Sequence, residues 1–184
     1  DESTPTCTKR FESIGIESTS KNRNAYRDML FTTQGMEKYI SGVILYDETI
    51  RQSSVADRIL FPNLLSAKGI LPGIKVDMGA KPLAGFENET ITEGLDGLRD
   101  RLAEYKDLGA KFAKWRAVIT NGDDMPSSTC IYVNGHALAR YAVLCQEAGI
   151  VPIVEPEVLM NGDHDIDTCF EVTEETLKIV FQEL

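Results

Sequence analysis

Cationic and carboxylate side chains recur in this chain at two-residue spacing within apolar runs, a pattern that can hold an anion and move protons. The richest stretch is Lys111-Phe112-Ala113-Lys114-Trp115-Arg116-Ala117-Val118-Ile119. Side chains of a strand alternate between faces, so Lys114 and Arg116 point one way while Ala113, Trp115 and Ala117 point the other. The Trp115 face reads as packing against covering helices. Parallel strands are usually covered on both faces, and an uncompensated buried charge is costly. Two cations side by side on the second face are therefore expected to hold an anion.

The spacing returns elsewhere. Gly73-Ile74-Lys75-Val76-Asp77 sets Lys75 and Asp77 two apart. Ile150-Val151-Pro152-Ile153-Val154-Glu155-Pro156-Glu157 sets Glu155 and Glu157 two apart, and Asp1 and Ser3 repeat the interval. Any one pair fits a half-exposed antiparallel strand equally well, but three in one chain do not. Charged pairs at the C-terminal ends of successive strands describe the mouth of a parallel barrel.

The elements that must position these residues follow from periodicity and punctuation. Helices are expected over residues 6–14, with a cap at Thr4 or Thr6, and from Ser20 to about Thr32, with Tyr26, Met29 and Leu30 on one face. Tyr39–Tyr46 reads as a buried strand ending at Asp47-Glu48-Thr49, and residues 61–68 as a short helix before the Lys75 strand. Residues 78–91, with Gly79, Pro82 and Gly85, read as a long loop. A helix is expected from about Thr92 to Leu108 on Leu95, Leu98, Leu102 and Tyr105. Another runs from a cap at Ser127 or Ser128 to Ala148, with Ile131, Leu138, Tyr141 and Cys145 inward and Gly149 as its stop. A last helix begins at Thr173 and turns Leu177, Val180, Phe181 and Leu184 inward. Strands and helices thus alternate at intervals of about 30 to 40 residues, which implies a parallel sheet. No composition shift marks a second domain, so residues 1–184 are expected to be a single domain.

Composition narrows the function. Of 184 residues, 42% are hydrophobic and 26% charged, and the net charge is -10. That balance argues against nucleic acid, whose phosphates need a basic surface, but not against a small anion held by a few convergent cations. No apolar run approaches the length of a membrane span and no secretory leader is visible, so no membrane partner is expected. Cys7, Cys130, Cys145 and Cys169 lack metal or redox spacing and read as free thiols in a reducing cytoplasm. Gly162-Asp163-His164-Asp165, with Cys169 nearby, offers one histidine without a second ligand at coordinating distance, so no metal is expected. Gly94-x-x-Gly97 is not read as a nucleotide loop, because no strand is expected before it and no helix start after it.

Asp1-Glu2-Ser3-Thr4, Gly42-Val43-Ile44-Leu45, Gly73-Ile74-Lys75-Val76-Asp77, Gly94-Leu95-Asp96-Gly97-Leu98, Phe112-Ala113-Lys114-Trp115-Arg116 and Gly149 to Glu157 resemble class I fructose-bisphosphate aldolase, in the same order across essentially the whole chain. The resemblance implies a TIM (β/α)8 barrel, here only its second to fifth strands and their helices. It also implies a lyase of glycolysis and gluconeogenesis. Such an enzyme cleaves fructose 1,6-bisphosphate to dihydroxyacetone phosphate and glyceraldehyde 3-phosphate through a lysine Schiff base, without cofactor or metal. By this resemblance Glu155 is the acid/base that dehydrates the carbinolamine, Lys114 assists proton transfer, and Asp1 helps remove the C4 hydroxyl proton. Lys75, Ser3 and Thr6 contact the C6 phosphate, and Arg116 and Glu157 complete the polar network. A cytoplasmic homotetramer is implied for the full-length parent.

Two departures bear on activity. The family has Gly at the place of Pro5 and Ser at that of Thr6, so the phosphate loop is expected to differ. The Schiff-base lysine belongs to the next strand, so the chain is expected to be part of a larger enzyme and inactive alone. Two other readings compete: a different phosphosugar lyase or isomerase on the same barrel, and a non-catalytic half barrel with open sheet edges.

Overall fold

In the computed structural model, residues 2–184 are described. Asp1, one of the expected catalytic residues, lies outside them. Along the chain run α1 (Thr4–Glu12), α2 (Ser20–Phe31), a 3-10 turn (Met36–Lys38), β1 (Gly42–Leu45), α3 (Asp47–Ile50), α4 (Phe61–Ala67) and β2 (Leu71–Lys75). There follow β3 (Ala80–Pro82), β4 (Thr90–Thr92), α5 (Leu98–Asp107), β5 (Phe112–Ile119), α6 (Ser128–Glu147), β6 (Val151–Val158) and α7 (Ile166–Glu183).

Four strands form a parallel sheet in the order β1-β2-β5-β6. Each strand lies beside its predecessor and the order never reverses, which is the winding of a barrel rather than of an open doubly wound sheet. Strand β5 shows why the sequence builds this. Ala113, Trp115, Ala117 and Ile119 are buried on one face while Phe112, Lys114, Arg116 and Val118 are half-buried on the other. The apolar face packs on the helices. Trp115 is fully buried and tilts against Tyr141 of α6, with ring centroids 5.5 Å apart. Each such buried side chain contributes about 1.5–3 kcal/mol. Helix α6 turns Ile131, Leu138, Tyr141 and Cys145 inward, is capped by Ser127 accepting from the Cys130 amide, and is followed by Gly149 at φ +66°.

The other face of the sheet is open at its C-terminal end and floored by one ring. A Cβ on Gly73 would meet the Phe112 ring at 2.4 Å, and one on Gly42 at 3.1 Å. Glycine at these two strand positions lets Phe112 lie flat across the sheet.

Several elements differ from the sequence reading. The expected loop 78–91 contains the antiparallel pair β3 and β4. Strand β2 stops at Lys75, so β5 would lose partners beyond Lys114; instead Thr92 and Thr90 hydroxyls donate to the Arg116 and Val118 carbonyls at 2.9 and 3.0 Å. Residues 92–97 are consequently not helical: α5 starts at Leu98, after Gly97 at φ +65°. The Gly94-x-x-Gly97 stretch therefore does have a strand before it and a helix start after it. Strand β1 is shorter than expected, and Asp47–Ile50 is a short helix rather than a strand end. Helix α7 begins at Ile166, because Asp165 caps it by accepting from the Thr168 amide at 2.9 Å. Of its expected inward residues only Val180 is buried; Leu177, Phe181 and Leu184 are exposed. On α2 the buried residues are Arg27 and Phe31, while Met29 and Leu30 are exposed.

Candidate active site

Parallel register gathers the charged residues. Lys75 lies beside Lys114, and Arg116 beside Glu155, on one face of the sheet. Lys114 Nζ is 3.0 Å from Glu155 Oε2, with side chains 28% and 29% exposed, so a ligand can reach the pair while protein shields most of it. One step nearer the mouth, Arg116 Nε donates to Glu157 Oε2. That hydrogen bond raises the Arg116 pKa above its usual value against partial burial, and the Glu157, Glu155 and Asp77 charges act in the same sense. The guanidinium keeps its charge at any working pH.

Asp77 joins these groups. It is 5% exposed, and its Oδ1 accepts from Lys75 Nζ at 2.5 Å and from the Gly79 amide at 3.0 Å. Its Oδ2 accepts from the Arg116 amide at 3.3 Å, so a carboxylate continues the ladder where β2 has ended. The Lys75-x-Asp77 spacing is visible in the sequence, but the site expected from the sequence does not include Asp77. The signal was there in the alternation.

Ser3 and Thr6 come to this site through α1. Ser3 precedes the helix, Pro5 occupies its first turn, and Ser3 Oγ lies 3.0 Å from Thr6 Oγ1. The expected hydroxyl cap from Thr4 or Thr6 is absent, because the helix already begins at Thr4 with Ser3 in the cap position; Thr4 Oγ1 donates to Glu48 and the Thr6 hydroxyl meets Ser3. Proline's fixed φ suits the start of a helix, so Pro5 continues the chain without distorting it. Ser3, Lys75 and Lys114 line one cavity of about 290 Å³ with Gly42, Ile44 and Tyr46. Ser3 and Lys75 also border a second, of about 510 Å³, reaching Asp47, Arg101 and Tyr105. Thr6, Glu155, Arg116 and Glu157 line neither. Among the described residues no cluster of His, Cys, Asp and Glu could hold a metal ion. The four thiols are free, and burial pushes Cys130 up to about 11 and Cys145 to about 12.

The arrangement is thus a set of cations and carboxylates on a parallel sheet, next to two hydroxyls at a helix start. It can bind phosphate and relay protons. The family model described as fructose-bisphosphate aldolase class-I matches residues 1–184. The chain belongs to the class I fructose-bisphosphate aldolase family. It is 63% identical over 181 residues to a probable fructose-bisphosphate aldolase class 1 of Xanthomonas campestris pv. campestris, covering 98% of this chain and 54% of that one. It is 52% identical over 184 residues to the cytosolic fructose-bisphosphate aldolase 4 of Arabidopsis thaliana, covering 100% and 47%. The structure of the Plasmodium falciparum aldolase, in complex with TRAP and a small-molecule inhibitor, superposes with a TM-score of 0.96 at 46% identity. That match covers 100% of this chain and 53% of the other. The chain spans about half the length of the curated relatives it matches, so its sheet is an arc of the aldolase barrel.

One further group, beside the helix start that carries Ser3, had no sequence signal. Glu48 of α3 accepts from Thr4 Oγ1 at 2.8 Å, from Arg23 Nε and Nη2 at 2.9 and 2.6 Å, and from Arg27 Nη1 at 2.8 Å. The Arg23 bond, helped by Arg27 and Thr4 and opposed by burial, holds the Glu48 carboxyl at about 2. Its partners are 21 to 44 residues away in sequence, and no periodicity announces them.

Proposed function

We propose that the complete polypeptide carrying these residues cleaves fructose 1,6-bisphosphate reversibly to dihydroxyacetone phosphate and glyceraldehyde 3-phosphate through a lysine Schiff base. The observation that carries this reading is the cavity shared by Ser3, Lys75 and Lys114, with Glu155 bonded to Lys114 at 3.0 Å. In this reading Ser3, backed by Thr6, and Lys75 take the C6 phosphate. Glu155, a carboxylate beside Lys114, takes the proton that the Schiff-base lysine loses before it attacks and gives it to the carbinolamine hydroxyl, which leaves as water to give the Schiff base. Asp1 accepts the C4 hydroxyl proton as the C3–C4 bond breaks and its electron pair moves into the enamine. Arg116 and Glu157 hold the neighbouring polar groups in place.

Neither lysine of the open face suits the role of nucleophile. Lys75 and Lys114 are each held by a carboxylate, which suits their amines to binding rather than to attack on a carbonyl. Residues 1–184 alone therefore give no turnover in this reading. The same reading makes them part of a single (β/α)8 domain and the complete protein a homotetramer in the cytoplasm. The plant relatives at 52% identity are named cytosolic or cytoplasmic, and no helix of the described residues is long and apolar enough to cross a membrane.

Borohydride trapping with dihydroxyacetone phosphate, followed by peptide mass spectrometry of the natural protein, tests this. An adduct on a lysine outside residues 1–184 is expected. An adduct on Lys114 would overturn its assigned role, and an absence of both adduct and bisphosphate cleavage would overturn the function.

A further inference from the structure

We propose that Glu48 is a positioning residue for the phosphate-binding hydroxyls: with Arg23 and Arg27 it forms a fixed hub that sets where Ser3 stands at the barrel mouth. This rests on the reading of Ser3, Thr6 and Lys75 as phosphate contacts and adds a group that touches no substrate.

The geometry singles out Ser3. Arg27 of α2 is fully buried; its Nη1 bonds Glu48, and its Nη2 donates to the Glu2 carbonyl at 3.2 Å. Thr4 donates its hydroxyl to Glu48 at 2.8 Å. Both neighbours of Ser3, one by backbone and one by side chain, are therefore tied to one largely buried ion cluster. Glu48 itself follows β1 by only three residues, so the cluster is referenced to the sheet. Ser3 has no bond to the cluster. Its hydroxyl is left for Thr6 and for the cavity it lines with Lys75 and Lys114. One hydrogen lies between the Ser3 and Thr6 oxygens, which leaves the pair a second hydrogen to give an anion.

A merely structural cluster would hold α1, α2 and α3 together without regard to ligand. The two roles separate at Thr4, whose removal from the cluster leaves both arginine–Glu48 pairs intact. Kinetics of the complete enzyme toward two substrates, one with and one without the distal phosphate, make the test. In Thr4→Val, KM for fructose 1,6-bisphosphate rises severalfold, up to the roughly tenfold that loss of one Ser3 hydrogen bond to a charged phosphate would give. The kcat, and the KM for fructose 1-phosphate, stay unchanged, and Thr4→Ser restores the bisphosphate KM. Equal effects on both substrates, or no effect on either, would overturn the proposal. Ser3→Ala separates the two layers of the argument. If it leaves the bisphosphate KM unchanged, the phosphate reading fails, and the positioning role with it. If it raises that KM while Thr4→Val does not, only the positioning role of Glu48 fails.

Discussion

Replacing Asp77 by asparagine removes one charge and nothing of the shape, and the structure allows its cost to be worked out. Asp77 Oδ1 accepts from Lys75 Nζ and the Gly79 amide, and Oδ2 from the Arg116 amide. An asparagine has one acceptor oxygen and one amino group, so one of the two positions must become a donor facing a donor. With nitrogen at the Oδ2 position the Arg116 amide is orphaned; with the side chain flipped the Gly79 amide and Lys75 are. A buried backbone N–H left unmatched costs about 1–3 kcal/mol. The charge-assisted bond to Lys75 adds about 0.5–1 kcal/mol, discounted because the Lys75 side chain is 30% exposed and screened.

Asp77→Asn should therefore lower stability by about 1.5–4 kcal/mol. Urea denaturation of the complete polypeptide at neutral pH measures it, as a lower midpoint at unchanged slope. Asp57→Asn, at an exposed carboxylate, serves as the control and should shift the midpoint little. A loss below about 0.5 kcal/mol for Asp77→Asn, within the range of ordinary surface changes, would refute the view that this carboxylate continues the ladder beyond β2.

Two further outcomes follow from the same structure. Gly73→Ala drives a methyl into the Phe112 ring, which its Cβ would meet at 2.4 Å; overpacking should cost about 1–3 kcal/mol, visible as a lower Tm and partly relieved by Phe112→Leu. Glu48 is held at about 2, below its ordinary 4.5, so its contribution is fully present above pH 4.5 and drains away as the pH falls toward 2. Midpoints measured between pH 6 and pH 3 should fall more steeply in the wild type than in Glu48→Gln; parallel profiles would mean that the carboxylate is not held down by its guanidiniums.

The sequence speaks clearly where one side-chain period controls burial. In β5 the alternation of Ala113, Trp115 and Ala117 with Lys114 and Arg116 assigns both faces correctly, since a one-residue slip would bury two charges. It speaks weakly where strands are three residues long. β3 and β4 carry little pattern of their own and exist because β5 leaves carbonyls that Thr90 and Thr92 can satisfy. Helix α7 misled for another reason. Its apolar residues do form a stripe, but Ile166, Phe170, Leu177, Phe181 and Leu184 on it are exposed, and only the side that meets α6 is covered, where Gly135 admits Ile179 and Val180. The candidate site was legible for the residues on strands. Glu48, Arg23 and Arg27 stayed hidden because they meet through the tertiary fold.

The pairing of charges across the mouth bears on how such a site can take an anion in a chain of net charge -10. Lys75 meets Asp77, Lys114 meets Glu155 and Arg116 meets Glu157, so the six groups sum to zero. The pairs are not equivalent. Asp77 is pinned by two backbone amides, so Lys75 gains little by leaving it. Nor need Lys75 leave: of its three ammonium hydrogens two go to the Asp77 carboxylate and carbonyl, and the third is left to donate to a phosphate. Lys114 and Glu155 meet side chain to side chain across adjacent strands, each about three-tenths exposed, with no backbone donor fixing the carboxylate. That pair is free to open toward a ligand and close again, which the proton-transfer role proposed for Glu155 requires. Fixed binding at Lys75 and exchangeable partners at Lys114 thus follow from which carboxylate the backbone holds.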